Sequence, residues 1–106
     1  MILLTHYSGD VMRASEGQPR ADQVFVDFLR DKNFLFVDAR TKHVQDFQAF
    51  KLSPKEYVDR FYLPMGHYKP QGNHFFAFAI KDAVVNWLEP KPVAYREGSE
   101  TIPVGK

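Results

Sequence analysis

The residues best suited to chemistry lie in His67-Tyr68-Lys69-Pro70-Gln71-Gly72-Asn73, a turn-forming stretch that runs directly into an apolar segment. Imidazole titrates near neutrality and is the most common general base, provided a packed scaffold holds it in place. His67 is therefore the candidate catalytic residue, as a general base. Ser8, in Ser8-Gly9-Asp10, is the only serine near a strand end and reads as a turn residue. Asp38 follows an apolar run and reads first as a loop cap or salt-bridge partner. His74 reads as a packing or capping residue. His6 and His43 show no spacing, to each other or to carboxylates, of the kind a metal site uses, so no metal is expected. No phosphate loop or dinucleotide fingerprint is present, and no cofactor is expected.

The elements that must position His67 are legible from periodicity. Ile2 to Thr5 is a short apolar run ended by Ser8-Gly9-Asp10, and Phe34-Leu35-Phe36-Val37 is another, running into Asp38; both suit strands buried on two faces. Between them Ala21, Val24, Phe25, Phe28 and Leu29 fall on one helical face, and Asn33 can supply a left-handed cap. Strand, helix, strand at this spacing is a βαβ unit with parallel strands, which places His6, Tyr7, Asp38 and Arg40 at the sheet edge where ligands bind. Val11 to Ala14 can make one helical turn, and Val44, Phe47 and Phe50 can line a short helix. Ser53-Pro54-Lys55-Glu56 is a capping box with proline at the first helical position, ahead of Tyr57, Val58, Phe61 and Tyr62. From Asn73, the positions of Phe76, Ile80, Ala83, Val84, Trp87 and Leu88 predict a helix of four turns or more, stopped by Pro90.

The expected fold is thus α/β, a partial three-layer α/β/α sandwich. It has a small parallel sheet with strands near 2–6 and 34–38, and helices near 20–31, 53–62 and 73–89. Residues 1–89 make the domain; 90–106 form an extended tail, or a hairpin pairing 93–96 with 101–104. At 106 residues the chain holds one domain or part of one. A net charge of +1 with interspersed signs leaves no footprint for nucleic acid or an anionic membrane. No segment is long enough to span a bilayer. With no cysteine, disulfides and thiolate catalysis are excluded.

The pattern His67-x-x-Pro70-x-Gly72-Asn73, followed by an Ala- and Phe-rich helix up to Leu88, resembles the last conserved block of the SGNH (GDSL-type) hydrolase and acyltransferase superfamily. The order before it agrees: a strand, a helix, a strand ending in Phe36-Val37-Asp38, then a short helix. The resemblance implies a serine esterase or O-acyltransferase in which His67 activates the nucleophile toward an ester or acyl-sugar substrate. In that family an aspartate three residues before the histidine orients the ring; Pro64 stands there in this chain. The family's Gly-Asp-Ser turn and its oxyanion donors belong to the first half of the fold, and this chain matches the C-terminal half. One oxyanion donor is worth about 3–4 kcal/mol of barrier, so the chain alone is expected to be inactive. Two strands with open edges invite pairing, which predicts a homo-oligomer or association with a complementary N-terminal half. The alternative is a small non-catalytic α/β protein-interaction domain in which His67 is structural.

Overall fold

The computed structural model of the protein describes residues 1–96. Two short strands, β1 (Ile2–Leu4) and β2 (Phe36–Asp38), pair in parallel in the register Ile2↔Phe36, Leu3↔Val37, Leu4↔Asp38. The connection between them holds α1 (Ser8–Ser15) and α2 (Gln23–Asp31); α3 (Ala39–Ala49), α4 (Pro54–Phe61) and α5 (Pro70–Trp87) follow β2. The chain is mixed α/β and mostly helical. Each strand is shorter than the apolar run that encodes it, because only three residues of each align within bonding reach of the other.

Ser8, expected in a turn, instead opens α1, and the turn read at Val11 to Ala14 extends to a helix of 8 residues whose Val11 and Ala14 are buried. Asn33 takes the left-handed conformation at φ 57°, as its side chain allows, and reverses the chain after α2. The region around Val44 and Phe47 is a helix of 11 residues, capped at Asp38, whose side chain accepts from the Arg40 amide. Its buried positions are Ala39 and His43. At α4 the capping box is complete: Ser53 Oγ accepts from the Glu56 amide and the Glu56 carboxylate accepts from the Ser53 amide. Helix α5 starts at Pro70, earlier than Asn73, because proline's fixed φ and absent N–H suit a first helical position.

The principal core joins α1 and α4: Val11, Tyr57, Val58, Phe61 and Tyr62 are buried, with Met12, Phe47, Leu52, Tyr68 and Phe75 packed against them. Gly72 lets α5 approach α4, since a Cβ there would meet the Tyr68 ring and the Phe61 carbonyl. Val26 and Leu29 of α2 are buried outside this cluster. Several apolar residues stay outside the core: Val24 is 84% exposed and Phe78 61%, and Phe25, Phe28, Phe34 and Leu35 are also open to solvent. Val93–Tyr95 form a single 3-10 turn. Residues 101–104, the second strand of the expected hairpin, lie outside the described residues.

Candidate functional site

His67 sits in a tight loop between α4 and α5. Tyr62 and Tyr68 form an antiparallel bridge on either side of it, the Leu63 amide donates to the His67 carbonyl at 2.7 Å, and the Gly66 amide donates to the Leu63 carbonyl at 2.9 Å. Gly66 lies at φ +93°, a conformation a side chain disfavours. The backbone at His67 is therefore fixed while the ring is exposed, and neither ring nitrogen has a side-chain partner among the described residues. The ring lines a cleft with His6, Tyr7, Tyr62 and Phe76. A methyl group added to Gly66 would lie 3.4 Å from Ser8 Oγ, so the helix start that carries Ser8 borders the same loop.

At the carboxyl ends of β1 and β2 a second cluster forms. His6 Nε2 donates to Asp38 Oδ1 at 3.2 Å, and Arg20 Nη1 donates to Asp38 Oδ2 at 2.5 Å. Thr41 Oγ1 and the Arg40 amide complete the carboxylate's shell, each at 3.0 Å. Arg20 is held in turn by Asp22, at 2.7 and 3.0 Å. Burial alone would raise the Asp38 carboxyl; the bonds from His6 and Arg20 outweigh it and hold the group well below the usual carboxylate range. Arg20 is driven up by its bonds to Asp22 and Asp38, and stays charged. A pocket of about 410 Å3 opens beside this cluster, lined by His6, Asp10, Arg13, Arg20 and Phe25 among others. Most of its charges are already paired: Arg13 binds Asp10 at 2.6 Å and the Tyr7 hydroxyl at 2.8 Å, while Arg40 donates to the Gln18 carbonyl at 2.9 Å.

His43 occupies the center of the core and is fully buried. Its ring stacks on Phe75, with centroids 4.0 Å apart, and meets Phe61 and Tyr57 edge-on. Nδ1 is 3.0 Å from Tyr57 Oη and Nε2 is 2.9 Å from Tyr68 Oη. Because the Tyr57 hydroxyl donates to Asp46 Oδ2, it must accept from Nδ1–H, which leaves Nε2 to accept from Tyr68. Burial, reinforced by the nearby His6, lowers the imidazole to about 4, so it is neutral at pH 7. Burial and Asp46 push the Tyr57 hydroxyl upward. This network is a satisfied polar core: no buried side-chain nitrogen or oxygen among the described residues lacks a partner.

The structure thus brings His67 and His6 to one cleft, and His6 to Asp38, but among the described residues no carboxylate orients His67. Asp38, expected as a loop cap or a salt-bridge partner, pairs with Arg20 and caps the helix α3. His74, read from the sequence as a packing or capping residue, is exposed, with its ring centroid 4.6 Å from that of Phe78. Sequence reasoning missed His43 and Arg20. His43 could have been found from Ala39, His43, Phe47 and Phe50, which share a helical face; Arg20, in an irregular segment, carries no periodic signal. Among the described residues no cluster of three or more His, Asp or Glu is arranged to hold a metal ion, and no helix is long and apolar enough to cross a membrane. Comparison with protein-family models, with curated proteins and with solved structures finds no match to this chain.

Proposed function

We propose that this chain is the C-terminal portion of an SGNH-like serine esterase or O-acyltransferase domain, a partial α/β/α sandwich that contributes His67 as general base. The nucleophilic serine and the oxyanion donors come from a complementary segment, and the chain alone does not turn over esters. The observation that carries this reading is the state of His67: backbone clamped by the Tyr62–Tyr68 bridge, side chain exposed at a cleft, and neither ring nitrogen bonded to a side chain among the described residues. A base needs that combination of fixed position and accessible ring. Among the described residues β1 and β2 each pair along one side only, which supports association at the sheet edge, with a second copy or with a complementary half.

The test has two stages. Size-exclusion chromatography with light scattering is expected to show self-association; a clean monomer would remove that part of the reading. The associated species, or the chain complemented by a segment carrying a Gly-Asp-Ser turn, is then assayed with short-chain acyl esters. His67→Ala is expected to abolish turnover without altering the fold. Turnover that survives His67→Ala refutes the assignment, and phosphonate labelling of Ser8 in the isolated chain, lost in His67→Ala, would show a complete enzyme instead.

The absence of an orienting acid at His67, with Asp38 engaged by His6 and Arg20, favors a second reading. In it the chain is a non-catalytic interaction domain whose exposed Phe25, Phe28, Phe34 and Leu35 meet a protein partner. No hydrolysis and no labelling under any assembly would establish that reading over the first.

A further inference from the structure

Where α3, α4 and α5 meet, a concave surface of about 600 Å3 is walled by four aromatic rings, Phe50, Phe61, Phe75 and Phe78. It shares no lining residue with the cleft that holds His67. Small-molecule sites span about 300–1,000 Å3 and combine apolar walls with a few polar groups, and this surface has that composition. Phe61 and Phe75 belong to the core, whereas Phe50 and Phe78 leave much of their rings in water. Exposed rings around a concavity are a solvation cost that an apolar occupant would relieve.

The polar groups at the rim define the head group of that occupant. Arg60 lays its guanidinium over Phe50 at 4.6 Å and over Phe61 at 5.8 Å. Unlike Arg13, Arg20 and Arg30, it has no carboxylate within ion-pair reach among the described residues. Its planar set of donors is therefore presented at the edge of an apolar pocket, the arrangement that recognizes a carboxylate in bidentate fashion. His74 stands on the same rim, and the first turn of α5, which forms one wall, contains no acidic residue. Asp46 also lines the pocket, with Oδ2 occupied by the Tyr57 hydroxyl. An aromatic box of this kind can hold a cation, but here the protein's own guanidinium already covers the Phe50 and Phe61 faces and would repel a second one.

We propose that this pocket binds an apolar carboxylate of medium chain length, with the hydrocarbon on the Phe75 and Phe78 rings and the carboxylate on Arg60. The site is independent of the reading given to His67. Its test uses the full chain with octanoate, 1-octanol and octylammonium, which share one chain and differ in head-group charge, followed by calorimetry and by NMR shifts. Octanoate is expected to bind saturably at one site per chain, to shift resonances of Arg60, His74 and Phe78, and to bind at least ten-fold more tightly than octanol. Arg60→Gln is expected to remove that ten-fold preference with the circular dichroism spectrum unchanged, because Arg60 is exposed and makes no structural bond. His67→Ala is expected to leave octanoate binding intact. Octylammonium binding as tightly as octanoate would make Asp46 the anchor and overturn the proposal. So would an unchanged affinity in Arg60→Gln, or the absence of shifts at the pocket. Ligand-free dimerization abolished by Phe78→Asp would assign the surface to a second copy and overturn it equally.

Discussion

Acidification from pH 6.5 to 4 is expected to destabilize this protein through one side chain, His43. In the folded state its imidazole is lowered to about 4 by burial, while in the unfolded chain it titrates near 6.5. Between those limits the unfolded state binds a proton that the folded state refuses, so stability is complete above pH 6.5 and falls as pH drops toward 4. Each pH unit in that window is worth about 1.4 kcal/mol, and the window spans about 2.5 units, giving a loss of about 3 kcal/mol. A domain of this size has about 5–15 kcal/mol in total, so the loss is a large share of it. With a urea slope of about 1.5 kcal/mol per molar, the unfolding midpoint moves down by about 2 M between pH 7 and pH 4. The Asp38 carboxyl, held low by His6 and Arg20 against burial, contributes in a separate and more acidic window, where stability is lost below its ordinary pKa. The two are separated by His43→Phe, which preserves the aromatic packing and removes the titrating group. It is expected to cost about 1–2 kcal/mol at pH 7 through the lost hydrogen bonds to Tyr57 and Tyr68, and to flatten the limb between pH 6.5 and 4. His67→Gln, which alters an exposed ring, leaves the limb in place. A limb that persists unchanged in His43→Phe, or an NMR titration of the His43 ring at the ordinary imidazole pH, would refute the reasoning.

Three further outcomes are expected. Asp38→Asn breaks the pairs with Arg20 and His6 at once and leaves Arg20 short of a partner, which should cost about 3 kcal/mol in urea unfolding, with the loss coupled to Arg20→Met in a double-mutant cycle. Gly72→Ala drives a methyl group into the Tyr68 ring and the Phe61 carbonyl, and should lose about 1–3 kcal/mol in thermal unfolding while shifting the Tyr68 and His43 resonances. Ser53→Ala removes the acceptor for the Glu56 amide and should lower stability by about 1 kcal/mol, whereas Ser53→Asp keeps the cap and most of the stability.

Local chemistry made some elements readable in advance. The Ser53–Glu56 box and Pro54 fixed the start of α4, because capping is decided within four residues. Asn33 was readable for the same reason, since its short polar side chain tolerates a left-handed backbone. The parallel pairing of β1 and β2 followed from the βαβ spacing, although each strand is only three residues long. What stayed hidden depends on distant partners. His43 and Phe75 are far apart in sequence and stack only after α3 and α5 meet. Arg20 joins Asp38 across an irregular segment with no period to mark it. For α5, the helical period was visible while its exposure was not: a run containing Phe76, Phe78, Ile80, Val84 and Trp87 reads as core, yet Gly72 is its buried residue. Apolar content alone does not say which faces the rest of the chain can cover.

The attachment of α2 has a kinetic consequence. Its inner face offers Val26 and Leu29 alone to the interior, outside the main cluster, and its ends are secured by the Arg20 bridge from Asp22 to Asp38 and by the turn at Asn33. Opening this helix releases two buried side chains and one ionic clasp, while opening α4 dismantles Tyr57, Val58 and Phe61 together. Amide protons in α2 should therefore exchange through a local fluctuation well below the free energy of global unfolding, and those in α4 only through the global event. In each such fluctuation Val26 and Leu29 meet water and are covered again, so the lifetime of that open form sets how often a partner could seize the apolar face of α2.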